Sequence, residues 1–130
     1  MYDYNKDVKT RDEIIFGSYD PKAYFGGLRY FKGMSGGTLR YLVTNKFTSM
    51  QERQNASPTI EELLDFLERH PGYTAHGYAV SIDRGDYRVT VEGLAKKEPE
   101  QDRDTLVEFV ELNRFADELD ISDRMYCWYD

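Results

Sequence analysis

The chain has 130 residues, of which 40% are apolar and 15% aromatic, and its formal net charge is −7 at pH 7. A chain of this length suits a single domain over residues 1–130, with a core large enough to be stable without metal sites or disulfide bonds. The aromatic content argues against a disordered chain. The negative charge repels phosphate backbones, so it opposes direct nucleic-acid binding and is compatible with a basic protein partner.

The chain carries one cysteine, Cys127, so no disulfide forms within it and a reducing compartment is expected. The first residues are polar and lack an apolar signal segment. No apolar run approaches the length of about 18 residues that crosses a membrane. We therefore expect a cytoplasmic protein that does not enter a membrane.

The N-terminal part is polar at first and then briefly apolar. Residues 1–12 are polar and charged, which predicts a flexible arm or an edge segment. The apolar residues 14–16 predict a short strand. Asp20 and Pro21 predict the start of a short helix, because aspartate accepts hydrogen bonds from the free N–H groups and proline fits the first helical position.

Two segments carry apolar residues at the i, i+3, i+4 spacing of an amphipathic helix. The first spans residues 35–50. The second begins either at Ser57 or at a capping box formed by Thr59 and Glu62, and it ends before Pro71. These are the two main helices that the sequence predicts.

From residue 74 onward the apolar period changes to two, which predicts a β-hairpin. A connection of two or four residues pairs Ile82 with Tyr87. This pairing gives one apolar face with the residues Tyr78, Val80, Val89 and Val91. The opposite face of the first strand carries the small residues Ala75, Gly77 and Ala79. We expect the large residues to face the core and the small ones to meet solvent or a close partner.

The secondary structure of the C-terminal part is predicted less clearly than that of the hairpin. Residues 105–112 fit a strand by alternation and a helix by spacing, and their β-branched and aromatic content favours the strand. Residues 115–119 predict a single helical turn, and residues 125–129 predict a final strand. Together the elements predict an α+β fold, in which two main amphipathic helices pack on a mostly antiparallel sheet of three to five strands.

Residue types that support catalysis or metal binding are few. His70 and His76 are six positions apart across a Pro-Gly pair, and Cys127 is distant, so no metal-ligand spacing is present. A dyad of Cys127 with either histidine forms only if the fold brings them together, and a buried, inert thiol suits a strand cysteine better. We predict no catalytic residue, no metal site and no cofactor.

Six short segments carry a resemblance to known proteins: residues 53–59, 64–68, 76–81, 86–93, 115–119 and 126–130. They resemble small uncharacterised proteins that are carried on mobile elements of gut Firmicutes. The motifs are structural rather than catalytic in character, so the resemblance transfers no site residue. It implies an accessory role in plasmid or phage biology.

Four carboxylates after the hairpin form the candidate partner-binding surface: Glu98, Glu100, Asp102 and Asp104. We expect a non-enzymatic interaction protein that binds a basic protein there, and in a sharper version an inhibitor that imitates DNA phosphates. Two alternatives stay open. One is a small enzyme with a His, Cys or carboxylate pocket against the sheet, and the other is a self-associating module that pairs through its small-residue face. The sequence does not fix the oligomeric state.

Overall fold

The computed structural model describes residues 2–130, which adopt an α+β fold. The elements follow one another as α1 (Val8–Phe16), β1 (Leu28–Met34), α2 (Gly36–Thr44), α3 (Ile60–Arg69), β2 (Thr74–Val80), β3 (Val89–Lys96), α4 (Arg103–Leu112), β4 (Glu118–Asp120) and β5 (Met125–Trp128). The predicted short helix after Asp20 is a 3₁₀ turn, Pro21–Ala23, and Asp20 caps it. The predicted fold class is confirmed, with four α-helices in the described chain where two main ones were expected.

The described strands form one antiparallel sheet in the order β1-β2-β3-β5-β4. Helices α2, α3 and α4 cover one face of it, which we call the inner face. The helices contribute these core side chains: Leu39, Leu42, Leu63, Leu64, Phe66 and Phe109. The strands contribute Phe31, Ala79, Val89, Val91 and Leu94. The core therefore lies between the sheet and the helices, and the outer face of the sheet carries no α-helix of this cluster.

Both predicted amphipathic helices form, and each begins at a capping residue. Ser35 caps α2, whereas Thr59 and Glu62 make a reciprocal capping box at α3. This decides between the two predicted starts of the second helix, Ser57 and Thr59. Helix α2 ends earlier than predicted, because Lys46 adopts a left-handed backbone conformation with φ 64°, which a helix cannot contain.

The prediction for the N-terminal part is wrong. Helix α1 occupies positions where a flexible arm over residues 1–12 and a strand over residues 14–16 were expected. Asp7 caps the helix, and Arg11 and Asp12 have no exposed surface. Buried charges are costly unless they are paired, and sequence alone does not reveal that these two neighbours pair with each other.

The buried arginine of α1 makes three hydrogen bonds. The Arg11 guanidinium donates to the Asp12 carboxylate (2.8 Å), the Val80 carbonyl oxygen (2.9 Å) and the Tyr24 hydroxyl (2.8 Å). The Tyr24 hydroxyl donates in turn to Asp12. The guanidinium carbon also lies 4.7 Å from the centroid of the Tyr87 ring. Helix α1 is therefore fastened to the end of β2 by a closed polar network.

The C-terminal part also differs from the prediction. Residues 105–112 belong to α4, not to the strand that their composition favours, and the chain enters β4 where residues 115–119 were expected to form a helical turn. Asp102 caps α4, and the fully buried Phe109 packs on Phe66 of α3 with ring centroids 5.9 Å apart. The cap and this packing outweigh strand propensity. The final strand is confirmed as β5.

Strands β2 and β3 form the predicted hairpin, but in a different register. Ala79 lies opposite Val89, so an odd number of residues separates the paired positions. The predicted pairing of Ile82 with Tyr87 is therefore wrong. The shift begins at the irregularity between His76 and Gly77, before which His76 lies opposite Gly93 as in the predicted register. Because side chains alternate along a strand, the shift places Ala79, and neither Tyr78 nor Val80, on the face of Val89.

The small residues of β2 consequently lie on the inner face. Ala75 and Ala79 have no exposed surface, because the helices pack on them. At Gly77 a Cβ atom would stand 2.0 Å from the carbonyl oxygen of Thr90, so only glycine fits the bulge there. The small-residue face that was expected to mediate self-association is thus part of the core, and it offers no surface to a second copy.

The large residues of β2 lie on the outer face and are buried there all the same. Tyr78 is 7% exposed and Val80 is fully buried. The Tyr78 hydroxyl donates to Gln54 (3.0 Å) and accepts from Arg88 (3.0 Å). The expected burial of Tyr78 and Val80 is confirmed. The face that they were expected to share with Val89 is not, because Ala79 lies opposite Val89.

Candidate functional site: an acidic groove between two helices

Glu100, one of the four carboxylates predicted to bind a partner, is engaged within the fold. It accepts hydrogen bonds from the Tyr73 hydroxyl (2.7 Å), the Lys96 ammonium (3.2 Å) and the Asp102 N–H (3.0 Å). Burial alone would raise the pKa of Glu100, but these bonds lower it below its usual value. Glu100 therefore ties the segment to a core tyrosine and does not act as a free charge.

Asp102 has an equally local role, because it caps α4. Its carboxylate accepts from the N–H (2.9 Å) and the hydroxyl (2.7 Å) of Thr105, and these bonds lower its pKa. Glu98 and Asp104 are exposed. Glu98 borders a cleft on the outer face of the sheet, whereas Asp104 belongs to the first turn of α4. The four predicted carboxylates thus do not form one continuous surface.

A groove of about 580 Å³ runs between α3 and α4, and we call it the acidic groove. Five carboxylates line it: Glu61, Glu62, Asp65, Glu108 and Glu111. Two guanidinium groups, of Arg69 and Arg114, and two apolar side chains, of Phe66 and Leu112, complete the lining. Carboxylates therefore outnumber cations in the groove by five to two.

Helical spacing places these carboxylates on one side. Asp104, Glu108 and Glu111 follow i, i+4 and i+7 along α4, and Glu61 and Asp65 follow i and i+4 along α3. The opposite sides of both helices face the core. Asp104, alone among the predicted partner-binding residues, thus shares a side of α4 with Glu108 and Glu111, although it does not line the groove.

Arg69 bridges the two helices across the groove. Its guanidinium bonds to Asp65 on its own helix (2.9 Å) and to Glu108 on α4 (3.0 Å), and the Nε2 atom of His70 lies 3.0 Å from the same Glu108 carboxylate. The hydrogen bonds from Arg69 lower the pKa of Glu108 to about 2. This bridge holds the walls of the groove at a fixed separation before any partner binds.

Besides the bridge residues, the groove is lined by the carboxylates of Glu61, Glu62 and Glu111 and by the Arg114 guanidinium. Glu61 and Glu111 are exposed, and neither has an ion-pair partner within residues 2–130. Glu62 is engaged with Thr59 in the capping box. Glu61 and Glu111 are therefore the carboxylates that an incoming cation would meet first.

The Cys–His pair considered for nucleophilic chemistry is not assembled. His76 lies on the outer face, and its Nε2 atom is 3.0 Å from the carbonyl oxygen of Cys127. The Cys127 thiol points to the inner face, where it accepts from the Leu94 N–H (3.3 Å). Burial raises the pKa of this thiol to about 12 and lowers the pKa of His76. A thiol that stays protonated at neutral pH and faces away from the imidazole is not an activated nucleophile.

Within residues 2–130, no three His, Cys, Asp or Glu side chains converge in an arrangement that could hold a metal ion. None of the helices in this part of the chain has both the length and the apolar character needed to cross a membrane.

Comparison of the chain with protein-family models, with curated proteins and with solved structures finds no match of any of the three kinds. Its function is therefore inferred from the geometry of its own side chains.

The acidic groove was missed at the sequence level because of the strand prediction for residues 105–112. In a strand, Glu108 and Glu111 would point to opposite faces, since they are an odd number of positions apart. In the helix they share a face. The i, i+4, i+7 spacing of Asp104, Glu108 and Glu111 was the signal that could have revealed the groove.

Proposed function

We propose that this chain is a non-enzymatic binding protein whose acidic groove takes up a basic segment of a partner protein. The groove itself carries the proposal, because it combines a concave shape with an excess of carboxylates. Concave surfaces with a few convergent polar groups are typical of binding sites. An excess of one charge speeds association with an oppositely charged partner and makes the binding sensitive to salt.

The lining also defines the chemistry of the partner segment. Leu112, which is partly exposed at the floor of the groove, suits the aliphatic stem of a lysine or arginine, which packs on apolar surface while its charged end stays in water. Glu61 on one wall and Glu111 on the other receive the cationic ends. A segment with basic side chains on both of its sides fits this arrangement best.

The non-enzymatic part of the proposal is supported by the separation of the Cys127 thiol from His76. The single buried thiol supports a reducing, cytoplasmic setting. In the sharper version, the basic partner is a nucleic-acid enzyme and the chain is its DNA-imitating inhibitor, so duplex DNA would compete for the same partner. The accessory role on a mobile element rests on the sequence resemblance.

A fluorescent oligoarginine peptide is a suitable probe for the groove, with binding followed by anisotropy. We expect the double substitution Glu61→Gln, Glu111→Gln to weaken binding about tenfold at low salt, since each exposed charge pair contributes on the order of 0.5–1 kcal/mol. Both residues are free of structural hydrogen bonds through their side chains within residues 2–130, so the fold is retained. Raising the salt to about 300 mM should weaken binding by the wild type.

The matched control is Glu13→Gln, Glu98→Gln, which removes the same charge from exposed positions outside the groove. It should change affinity less than about twofold. Glu98 also belongs to the segment first predicted to bind a partner, so the control compares the two surfaces directly. Equal weakening by both double variants, or an affinity that does not depend on salt, would contradict the proposal.

A further inference from the structure

The outer face of the sheet carries a second concavity, which we call the outer cleft. Its floor consists of short side chains, because Thr74 on β2 lies opposite Ala95 on β3. Tyr126 on β5 lies opposite Ala95 and forms one wall, and Gly33, at the irregular end of β1, lies on the other side. Two overlapping cavities of about 590 and about 320 Å³ make up the cleft. This is the size range of sites for small molecules.

The rim of the outer cleft is basic although the chain is acidic. Lys32 and Lys97 are exposed and have no ion-pair partner within residues 2–130, and Arg124 stands at the far end. Lys96 also borders the cleft, but its ammonium is bound to an internal carboxylate. Glu98 is the acidic residue among the lining side chains described. The local charge therefore favours an anionic ligand against a net charge of −7.

One wall of the outer cleft is a rigid pair of rings. The His76 and Tyr126 rings are stacked, with centroids 5.0 Å apart and planes inclined by 4°. His76 is held by its hydrogen bond to the carbonyl oxygen of Cys127. Tyr126 is held by the Arg124 guanidinium, 4.4 Å from the ring centroid, which is itself fixed by Asp120 (3.2 Å). The wall is therefore organised before a ligand binds, which lowers the entropic cost of binding.

Two separate features of the outer cleft select two parts of one ligand. The flat floor and the ring wall accept a planar uncharged group, whereas the lysines accept an anion. We propose that the outer cleft binds a free nucleotide, with the base on the floor beside His76 and Tyr126 and the phosphate at Lys32 and Lys97. A longer strand fits less well, because its further phosphates would meet Glu98 and the acidic remainder of the surface.

The probes are AMP, GMP, CMP and UMP, titrated separately by calorimetry in low salt, with the matching nucleosides, inorganic phosphate and a single-stranded decanucleotide as comparison ligands. At least one nucleotide should bind at least tenfold more tightly than its nucleoside and than phosphate. Phosphate binding of equal strength would reveal a simple anion site, and a decanucleotide that binds more than tenfold more tightly would reveal a strand-binding surface. Either result, or no binding of any nucleotide at millimolar concentration, overturns the proposal.

Two variants locate the binding. Lys32→Gln, Lys97→Gln should weaken nucleotide binding at least tenfold, whereas Lys9→Gln, Lys22→Gln, which removes the same charge from exposed positions elsewhere, should change it less than twofold. Ala95→Leu fills the floor without altering charge and should also abolish binding. Equal effects of the two lysine pairs, or full binding by the Ala95 variant with an unchanged circular-dichroism spectrum, would place the ligand outside the cleft and overturn the proposal.

Discussion

Replacing Arg11 with methionine removes the centre of the polar network that fastens α1. Methionine is similar in length and carries no charge, so the packing is largely kept while three hydrogen bonds are lost. Asp12 then remains as a buried carboxylate whose side-chain donor is the Tyr24 hydroxyl, and Val80 loses its bond to the guanidinium. The substitution thus isolates a charge in the interior.

The magnitude follows from what is left unpaired. A buried carboxylate that loses its cation costs about 3–5 kcal/mol, and the lost hydrogen bond to Val80 adds about 1 kcal/mol. We expect Arg11→Met to lower the free energy of unfolding by about 4–6 kcal/mol, which is a large part of the roughly 5–15 kcal/mol typical of a domain. Tyr24→Phe, which removes one hydroxyl of the network, should cost about 1–2 kcal/mol.

Urea unfolding at neutral pH, followed by far-ultraviolet circular dichroism, measures these differences. The matched control is Arg29→Met. The Arg29 guanidinium lies 3.8 Å from the Phe16 ring centroid and donates to the carbonyl oxygen of Ser18 (3.2 Å), but the residue is only half-buried and has no ion-pair partner within residues 2–130. Its loss should cost less than about 1 kcal/mol. An Arg11 variant no less stable than the Arg29 variant would refute the argument that the buried pair fastens α1.

Two other predictions concern acid stability and backbone packing. The hydrogen bonds from Arg69 lower the pKa of Glu108 from its ordinary value of 4.5 to about 2 in the folded chain. Between these two values the unfolded chain binds more protons than the folded chain, so the free energy of unfolding decreases as the pH falls from 4.5 towards 2. Because the ion pair is partly exposed to solvent, we expect the wild type to lose only about 0.5–1 kcal/mol of unfolding free energy between pH 5 and pH 2.5, as measured by urea unfolding. Glu108→Gln should not show this loss, and an equal decrease in both proteins would contradict the prediction. Gly77→Ala places a Cβ atom 2.0 Å from the Thr90 carbonyl oxygen and should lower stability by more than about 2 kcal/mol, whereas Gly85→Ala, with open space around it, should be nearly neutral in thermal unfolding. Similar melting temperatures for the two alanine variants would contradict this prediction, because they would show that the backbone at Thr90 moves away from the added Cβ atom at little cost.

Local signals predicted some elements well. Helix α3 was predictable because its apolar stripe, its capping box and its basic last turn all agree. Helix α4 was not, because strand propensity and helical spacing conflict within residues 105–112, and a tertiary contact of Phe109 decides between them. The register of β2 and β3 depends on the length of their connection, which the sequence of the turn leaves open.

The candidate site was less predictable than the fold. The acidic groove forms only when two helices that are distant in sequence lie side by side, and Arg69 joins them by contacts that no local pattern encodes. The four predicted carboxylates lie where the sequence is densest in negative charge. In the structure, however, the carboxylates of Glu100 and Asp102 accept hydrogen bonds from within the fold. Charge density along the sequence thus does not reveal which carboxylates the fold engages in internal hydrogen bonds.

The sheet separates the carboxylates of the α3–α4 side from the cations around Lys32 on the other side. These two patches of opposite sign create local fields of opposite direction on the two sides of the sheet. In dilute salt these fields raise the concentration of cations near the helices and of anions near Lys32. Added electrolyte weakens both effects by shortening the range of the fields.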